Sequence, residues 1–173
     1  MVCMTPPHAL RDLAADDATF VEEMLLEAFN WDEATPAQSL ADIRRLPEIW
    51  HYVEGWPRPD DFGVVAIDAD GGRLGAAWAR YFSDDNRGYG FVSESVPEIG
   101  MGIAAGHRGE GLGGTLLDAL IAAARERGIA GLSLSVEDGN TRARRLYEGR
   151  HFVVVGREGN SDVMSLTLTT RHP

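Results

Sequence analysis

The chain has 173 residues, 44% of them hydrophobic and 25% charged, a composition typical of a globular protein. Its formal net charge of −11 argues against nucleic-acid binding, which requires a basic face. No apolar run approaches the ~20 residues that cross a bilayer, so the sequence predicts no membrane partner. We expect a single domain over residues 1–173.

The N-terminal segment bears on cellular location. Residues 1–17 contain neither a basic segment nor a long apolar one, so the sequence predicts no signal peptide. Cys3 is the only cysteine and cannot form an internal disulfide, which fits a reducing compartment. We therefore predict a cytoplasmic protein.

Apolar periodicity and turn residues predict alternating strands and helices along the chain. Residues 9–13 are predicted as a short strand, 17–29 as an amphipathic helix, and 31–60 as irregular to helical. Further elements are predicted as strands at 62–68, 74–82, 89–92, 98–104, 131–136, 151–157 and 162–168, and as helices at 112–126 and 141–148. This order indicates a mixed α/β domain.

Five glycines lie within residues 106–114, between a predicted strand and a predicted helix. Each ordered glycine costs roughly 0.5–1 kcal/mol relative to alanine, so bare backbone must serve a purpose there. The first N–H groups of a helix lack intrahelical partners, and the helix dipole places partial positive charge beside them. Arg108 adds a fixed cation with several donors. The segment therefore predicts a phosphate-binding site.

The charge distribution agrees with this interpretation. Residues 107–150 hold seven arginines and six acidic residues, whereas the rest of the chain holds nine arginines and 21 acidic residues. An anionic ligand is therefore tolerated near the glycines, and the remaining surface favours a cationic partner.

Two other phosphate-binding motifs were weighed for the same segment. Residues 109–114, GEGLGG, match the dinucleotide pattern G-x-G-x-x-G, with Glu137 near the position of a ribose ligand. Too few residues follow for a doubly wound fold, so an NAD-binding oxidoreductase is a weaker hypothesis. The P-loop requires a lysine, and the chain contains none.

The segment HRGEGLGG, with Arg108, Gly111 and Gly113 spaced as R-x-x-G-x-G, resembles the acyl-coenzyme A loop of the GNAT superfamily of N-acetyltransferases. The segment VEDGNTRARRLYEGRHFVVVG (136–156) resembles the second cofactor segment of that family, and His151 departs from its usual glycine. The resemblance covers residues 97–156 and implies a mixed, mostly antiparallel sheet of about six to seven strands flanked by about four helices.

The resemblance also implies acetyl-CoA as co-substrate. It implies cofactor contacts from the strand N–H groups near Ile103 and from Arg108, Gly109, Gly111, Gly113, Gly114, Asn140 and Arg142. Asn140 is a predicted helix N-cap. It shares one helical stripe with Ala143 and Tyr147, and Tyr147 matches the usual general acid of the family.

Acetyl transfer to an amine also needs a base. Glu98, Gly100 and Gly102 share one strand face, and we interpret the two bare positions beside a carboxylate as a surface that a ligand approaches. Glu98 is the predicted general base, directly or through a water, and Glu94 is the reserve candidate.

The predicted function is N-acetylation of a primary amine by direct attack in a ternary complex; the alternative is a non-catalytic acyl-CoA-binding domain. A cationic small amine, a polyamine, an aminoglycoside and a protein N-terminus all stay open as acceptors, and a homodimer is compatible with the fold. One aromatic group is a candidate wall for the acceptor pocket: Trp31, Trp50, Tyr52 and Trp56. The scattered histidines predict no metal site.

Overall fold

The computed structural model describes residues 8–168, which form one seven-stranded sheet with helices packed on both faces. The strands are β1 (Ala9–Asp12), β2 (Phe62–Ile67), β3 (Arg73–Arg80), β4 (Glu98–Ile103), β5 (Gly131–Glu137), β6 (Val153–Glu158) and β7 (Ser161–Thr167). The helices are α1 (Ala18–Phe29), α2 (Leu40–Arg44), α3 (Pro47–Trp50), α4 (Leu112–Glu126) and α5 (Thr141–Glu148). The sheet order is β1-β2-β3-β4-β5-β7-β6, and β4–β5 is its parallel pair. The predicted fold class is confirmed.

The two helical layers cover opposite faces of the sheet. Helix α4 buries a continuous apolar stripe against it, and the members of that stripe are Leu112, Leu116, Leu117, Leu120 and Ile121. Helices α1 to α3 form a second cluster around Trp78 of β3. Because the side chains of successive strand residues point to opposite faces, each helical layer contacts every second residue of β4.

The glycines of β4 have a structural explanation that differs from the predicted one. A Cβ built at Gly102 would lie 2.2 Å from the Met24 carbonyl oxygen, and one at Gly100 would lie 2.6 Å from the Trp78 ring. Protein atoms therefore fill the space that we had interpreted as the approach of a ligand. The two glycines let helix α1 and Trp78 pack directly on the strand.

Residues 89–92, predicted as a strand, lie instead in the irregular segment 81–97. Two of its backbone donors are taken by side chains: the Tyr89 N–H donates to Tyr52 Oη, and the Gly90 N–H donates to Glu98 Oε1. The apolar residues matched a strand pattern, but these hydrogen bonds replace those that a neighbouring strand would supply.

A buried ion pair fixes the segment after α3 to the sheet. Arg80 Nη2 lies 2.6 Å from Asp61 Oδ2, and both side chains are almost fully buried. Arg80 Nη1 also donates to the carbonyl oxygens of His51 and Glu54. These contacts hold Tyr52 in a fixed position beside β4.

None of the helices within residues 8–168 is long and apolar enough to cross a membrane. Cys3, on which the predicted reducing compartment partly depends, lies outside the described residues.

Candidate active site

A cleft of about 870 Å³ opens where β4 and β5 separate. Across the described residues these strands pair at a single position, Glu98 with Ser133, and then diverge. Two sets of segments border the opening. We call residues 103–114 and 139–147 the glycine rim, and residues 25–31, 49–52 and 88–98 the aromatic rim.

The divergence of the strands leaves backbone donors of β4 facing the cleft. The Ala104 N–H donates to Leu74 of the β3 side, whereas the Pro97 carbonyl accepts from Ser133 of β5. Because backbone groups alternate in direction along a strand, the Met101 and Ile103 N–H groups point away from β3, toward the gap. The predicted position near Ile103 is therefore on the cleft side of the strand.

The glycine rim begins with a loop whose conformation requires glycine. Gly106, Gly109 and Gly111 have φ values of +87°, +83° and +81°, in the left-handed region that L side chains rarely adopt. Gly111 is the N-cap of α4, so the free N–H groups of the first helical turn lie at the cleft. The loop thus presents backbone donors and positive dipole charge without intervening side chains.

Gly113 and Gly114 also line the cleft. A Cβ at Gly113 would lie 3.4 Å from Leu146 Cδ2, an ordinary van der Waals contact, so packing does not require glycine at this position. A Cβ at Gly114 would lie 2.5 Å from Arg150 Nη2, and that guanidinium is bound to Asp118.

Three of the predicted polar residues lie on the glycine rim. Arg108 lines the cleft and is paired with Glu27 of α1, with 2.7 Å between Nη2 and Oε2. Asn140 caps α5 by accepting from the Ala143 N–H at 3.2 Å. The exposed Arg142 has its Nη2 3.7 Å from the position of a Cβ at Gly109. The two predicted cofactor segments therefore meet at one rim.

Tyr147 reaches the cleft from α5, with its ring edge-to-face against Phe152 at 5.8 Å between centroids. Burial raises the pKa of its phenol to about 12. Among residues 8–168 the Tyr147 hydroxyl has no hydrogen-bond partner, so its proton is free for a ligand. At neutral pH Tyr147 is a donor.

Glu98 is almost fully buried, with 2% of its surface exposed, and lines the opposite side of the cleft. Its Oε1 accepts from the Tyr52 hydroxyl at 2.8 Å and from the Gly90 N–H at 2.7 Å. Its Oε2 is buried against Gly88 and accepts no hydrogen bond of good geometry within the described part of the chain. Burial raises the pKa of this carboxyl to about 7, and the nearby donors, Tyr52 and the backbone N–H groups of Gly90 and Gly88, oppose that rise. A carboxyl with this pKa exchanges protons near neutral pH.

Glu94, the reserve candidate, lies away from the cleft lining. Its Oε1 accepts from the Asp84 N–H at 3.0 Å in the exposed part of segment 81–97. The geometry therefore favours Glu98 over Glu94.

The predicted aromatic group divides between two environments. Trp31 and Tyr52 line the cleft, whereas Trp50 packs under Arg44 and Trp56 is buried beside Arg80. The Trp31 indole N–H donates to Glu137 Oε2 at 2.7 Å. Glu137, the ribose ligand of the dinucleotide-binding hypothesis, is thus hydrogen-bonded to a tryptophan.

Sequence reasoning missed Tyr89 of the aromatic rim and the hydrogen bond between Tyr52 and Glu98. The sequence carries no local signal for either feature, because residues 89–92 match a strand pattern.

Comparison with known proteins identifies related sequences. A family model described as "Acetyltransferase (GNAT) family" matches residues 19–152. Mycothiol acetyltransferase from Beutenbergia cavernae is 34% identical over 102 residues, which cover 59% of this chain and 31% of that protein. The match thus spans about a third of the curated relative.

Solved structures share the fold across almost the whole chain. A putative acetyltransferase from Acinetobacter baylyi aligns with a TM-score of 0.69 at 20% identity, covering 98% of both chains. A phosphinothricin acetyltransferase from Sinorhizobium meliloti, solved in complex with AcCoA, aligns with a TM-score of 0.64 at 20% identity, covering 94% of this chain and 89% of the other. At these identities the likeness establishes the fold.

Proposed function

The chain belongs to the acetyltransferase (GNAT) family, and on this premise we propose that it transfers the acetyl group of acetyl-CoA to a primary amine. One observation carries the proposal. The gap between β4 and β5 joins the glycine rim to Glu98, so a ligand held by the glycine loop and an amine beside Glu98 would meet inside one cleft.

The glycine rim would bind the co-substrate. The loop Gly109–Gly114 and Arg108 would hold the pyrophosphate, with Asn140 and Arg142 beside it. In the gap, the Met101 and Ile103 N–H groups would donate to the pantetheine arm and the thioester carbonyl, and so stabilise the charge that develops on its oxygen.

Glu98 and Tyr147 would move the protons. Glu98, with a pKa of about 7, accepts a proton from the acceptor ammonium, directly or through a water. The free amine then forms the new carbon–nitrogen bond as the carbon–sulfur bond breaks. Tyr147 donates its proton to the departing thiolate and regains one from the new amide nitrogen through solvent. The nitrogen loses two protons in total, one to solvent through Glu98 and one to the thiol.

The two groups approach the gap from different sides. Glu98 belongs to the face of β4 that carries α1, because it shares the strand parity of Gly100 and Gly102. Tyr147 lies on α5, which packs with the α4 layer. This arrangement supports direct transfer in a ternary complex, since both reactants can be bound at once.

The acceptor is a primary amine of a small molecule or a peptide. Two carboxylates that line the cleft, Glu98 and Glu137, favour a cationic acceptor.

The proposal extends to a homodimer. Strand β6 forms the outer edge of the sheet, and Val153, Val154 and Val155 are each at least half exposed. An unprotected apolar edge strand favours pairing with a second copy. Sedimentation velocity of the wild type and of Val154→Lys tests this; a dimer that the charge dissociates is expected, and a monomeric wild type would contradict it.

The predicted alternative, a non-catalytic acyl-CoA-binding domain, would use the same glycine rim. It would not need a buried carboxyl with a pKa near neutrality at the far side of the gap. This feature favours the catalytic proposal.

Release of the free CoA thiol is the direct test. The purified chain and acetyl-CoA are mixed with a panel of primary amines, and thiol formation is followed with a colorimetric reagent, together with mass spectrometry of the amine. Acetylated amine in equal amount to thiol is expected. Tight acetyl-CoA binding without release for any amine would favour the non-catalytic alternative.

A further inference from the structure

We propose that Trp31 and Tyr89 of the aromatic rim, together with Glu137 at the end of β5, form a second cation subsite, and that the preferred acceptor is therefore a diamine. One amine would react beside Glu98 while the other, as an ammonium, binds at this subsite. The assignment of the reacting amine to Glu98 rests on the proposed function; the subsite itself does not.

The contact between Trp31 and Glu137 builds the anionic part of the subsite. The indole N–H donates to Oε2 at 2.7 Å, which fixes both the ring and the carboxylate across the cleft. Within residues 8–168, Oε1 of Glu137 accepts no hydrogen bond, so one carboxylate oxygen is open to a ligand. A preorganised carboxylate beside an indole is the chemistry that binds an ammonium group.

Tyr89 adds a second aromatic surface. It lines the same cleft with 39% of its surface exposed, and its backbone N–H is anchored on the Tyr52 hydroxyl. Desolvation raises the pKa of its phenol, and the charges of Glu48, Glu137 and Glu158 raise it further. Three carboxylates from separate elements therefore act on one point at the cleft mouth.

The basic residues of the cleft lie in the glycine rim, which the Trp31 ring contacts near Gly139. The arginines and histidine among the lining residues all belong to the glycine rim: His107, Arg108, Arg142 and Arg145. The segments of the aromatic rim that line the cleft contribute Glu27 and Glu98, and Glu27 is neutralised by Arg108. Among residues 8–168, no arginine or histidine pairs with Glu137, so an ammonium at the proposed subsite would meet an unpaired carboxylate.

Glu98 forms the other end of this part of the cleft. It is 2% exposed and lines the cleft, and its Oε2 is buried against Gly88. The wall on this side is apolar, with Leu25, Phe29 and Ile49. Two carboxylates joined by an apolar wall match two ammonium groups joined by methylenes.

Equilibrium binding tests the subsite independently of turnover. Calorimetry measures the affinity of the protein saturated with CoA for diaminoalkanes from diaminopropane to diaminohexane, and for alkylamines of the same length. The best diamine is expected to bind about tenfold more tightly than its matched monoamine. Equal affinity across the series, or no binding of any diamine, would overturn the proposal.

Three variants assign the effect to residues. Glu137→Gln keeps an acceptor for the Trp31 indole but removes the charge. The affinity for the diamine should therefore fall about tenfold, and the affinity for the monoamine should be unchanged. Trp31→Leu should weaken the diamine in the same way, with the thermal melting temperature measured to check the fold. Glu126→Gln, an exposed carboxylate at the far end of α4, is the matched control and should bind as the wild type. If Glu126→Gln lowers the diamine affinity as much as Glu137→Gln does, net charge alone explains the loss, and the proposed subsite is wrong. Diamine binding without acetylation would contradict the proposed function alone.

Discussion

The two rims of the cleft are built in different ways. The glycine rim uses two continuous segments, and most of its predicted contacts come from backbone N–H groups at left-handed glycines and a helix N-terminus. The aromatic rim joins three segments that are distant in sequence and buries Glu98 in a side-chain network. A binding site made of backbone groups can thus be predicted from local sequence. The pKa of a buried proton-transfer group, in contrast, depends on residues that only the fold brings together.

The largest expected effect is a loss of catalysis at the aromatic rim that leaves acetyl-CoA binding at the glycine rim unchanged. Glu98→Gln should lower kcat/KM about 100-fold, because general-base catalysis contributes about that much, with acetyl-CoA affinity unchanged. The wild-type pH profile of kcat/KM should rise through an inflection near the Glu98 pKa of about 7, and the variant should lack it. Glu94→Gln is the matched control, since Glu94 lies outside the cleft lining. An unchanged profile in Glu98→Gln would remove Glu98 from the mechanism.

The elements of the glycine rim were easier to predict from the sequence than those of the aromatic rim. Helices α4 and α5 begin and end at the predicted residues, and the cap residues Gly111 and Asn140 are local signals for where they begin. Glu98 was predicted for a reason that the structure corrects, because Gly100 and Gly102 admit Trp78 and helix α1. The partners that set the Glu98 pKa, Tyr52 and Gly90, carry no local signal.

Two further positions show the same limit. Residues 89–92 fit a strand pattern, but their hydrogen bonds go to side chains that lie elsewhere in the sequence. His151, the departure from the usual glycine, has a φ of 69°, the left-handed conformation that glycine would adopt without strain. The family and the fold class were predictable and are confirmed, whereas the roles of the site residues stay predictions.

The second effect concerns stability. Because the folded pKa of Glu98 is about 7 and its ordinary value is 4.5, the folded chain retains a proton between these values that the unfolded chain releases. Wild-type stability should therefore fall by up to ~3 kcal/mol as the pH rises from about 5 to about 8. Glu98→Gln does not ionise, so its stability relative to the wild type should improve over this window. Chemical denaturation at several pH values measures the free energy of unfolding of both proteins. A difference between them that does not change with pH would contradict this prediction.

The third effect tests the acid on the other side of the gap. Tyr147→Phe should lower turnover about tenfold or more with little change in acetyl-CoA affinity, because it removes one proton donor and keeps the ring against Phe152. Steady-state kinetics and calorimetry on the same preparation give both numbers. An unchanged turnover rate would exclude Tyr147 as the acid.

The smallest effect sharpens the account of the glycine rim. Gly111→Ala places a side chain at a φ of +81° in the loop and should weaken acetyl-CoA binding about tenfold. Gly128→Ala is a close control, because Gly128 also has a positive φ and open space but lies beyond the other end of α4. Both substitutions should cost similar stability, and only the first should change the Kd. A similar Kd change in both variants would mean that strain, and not the loop, causes the loss.

The most direct test of the central claim is a calorimetric titration of the ligand-free wild type with acetyl-CoA, with NAD and ATP as controls. We expect saturable binding of acetyl-CoA at roughly micromolar concentration, and no comparable binding of either nucleotide. Absence of acetyl-CoA binding, or preference for NAD, would mean that the glycine rim does not hold the proposed co-substrate, and the acetyltransferase mechanism built on it would be wrong.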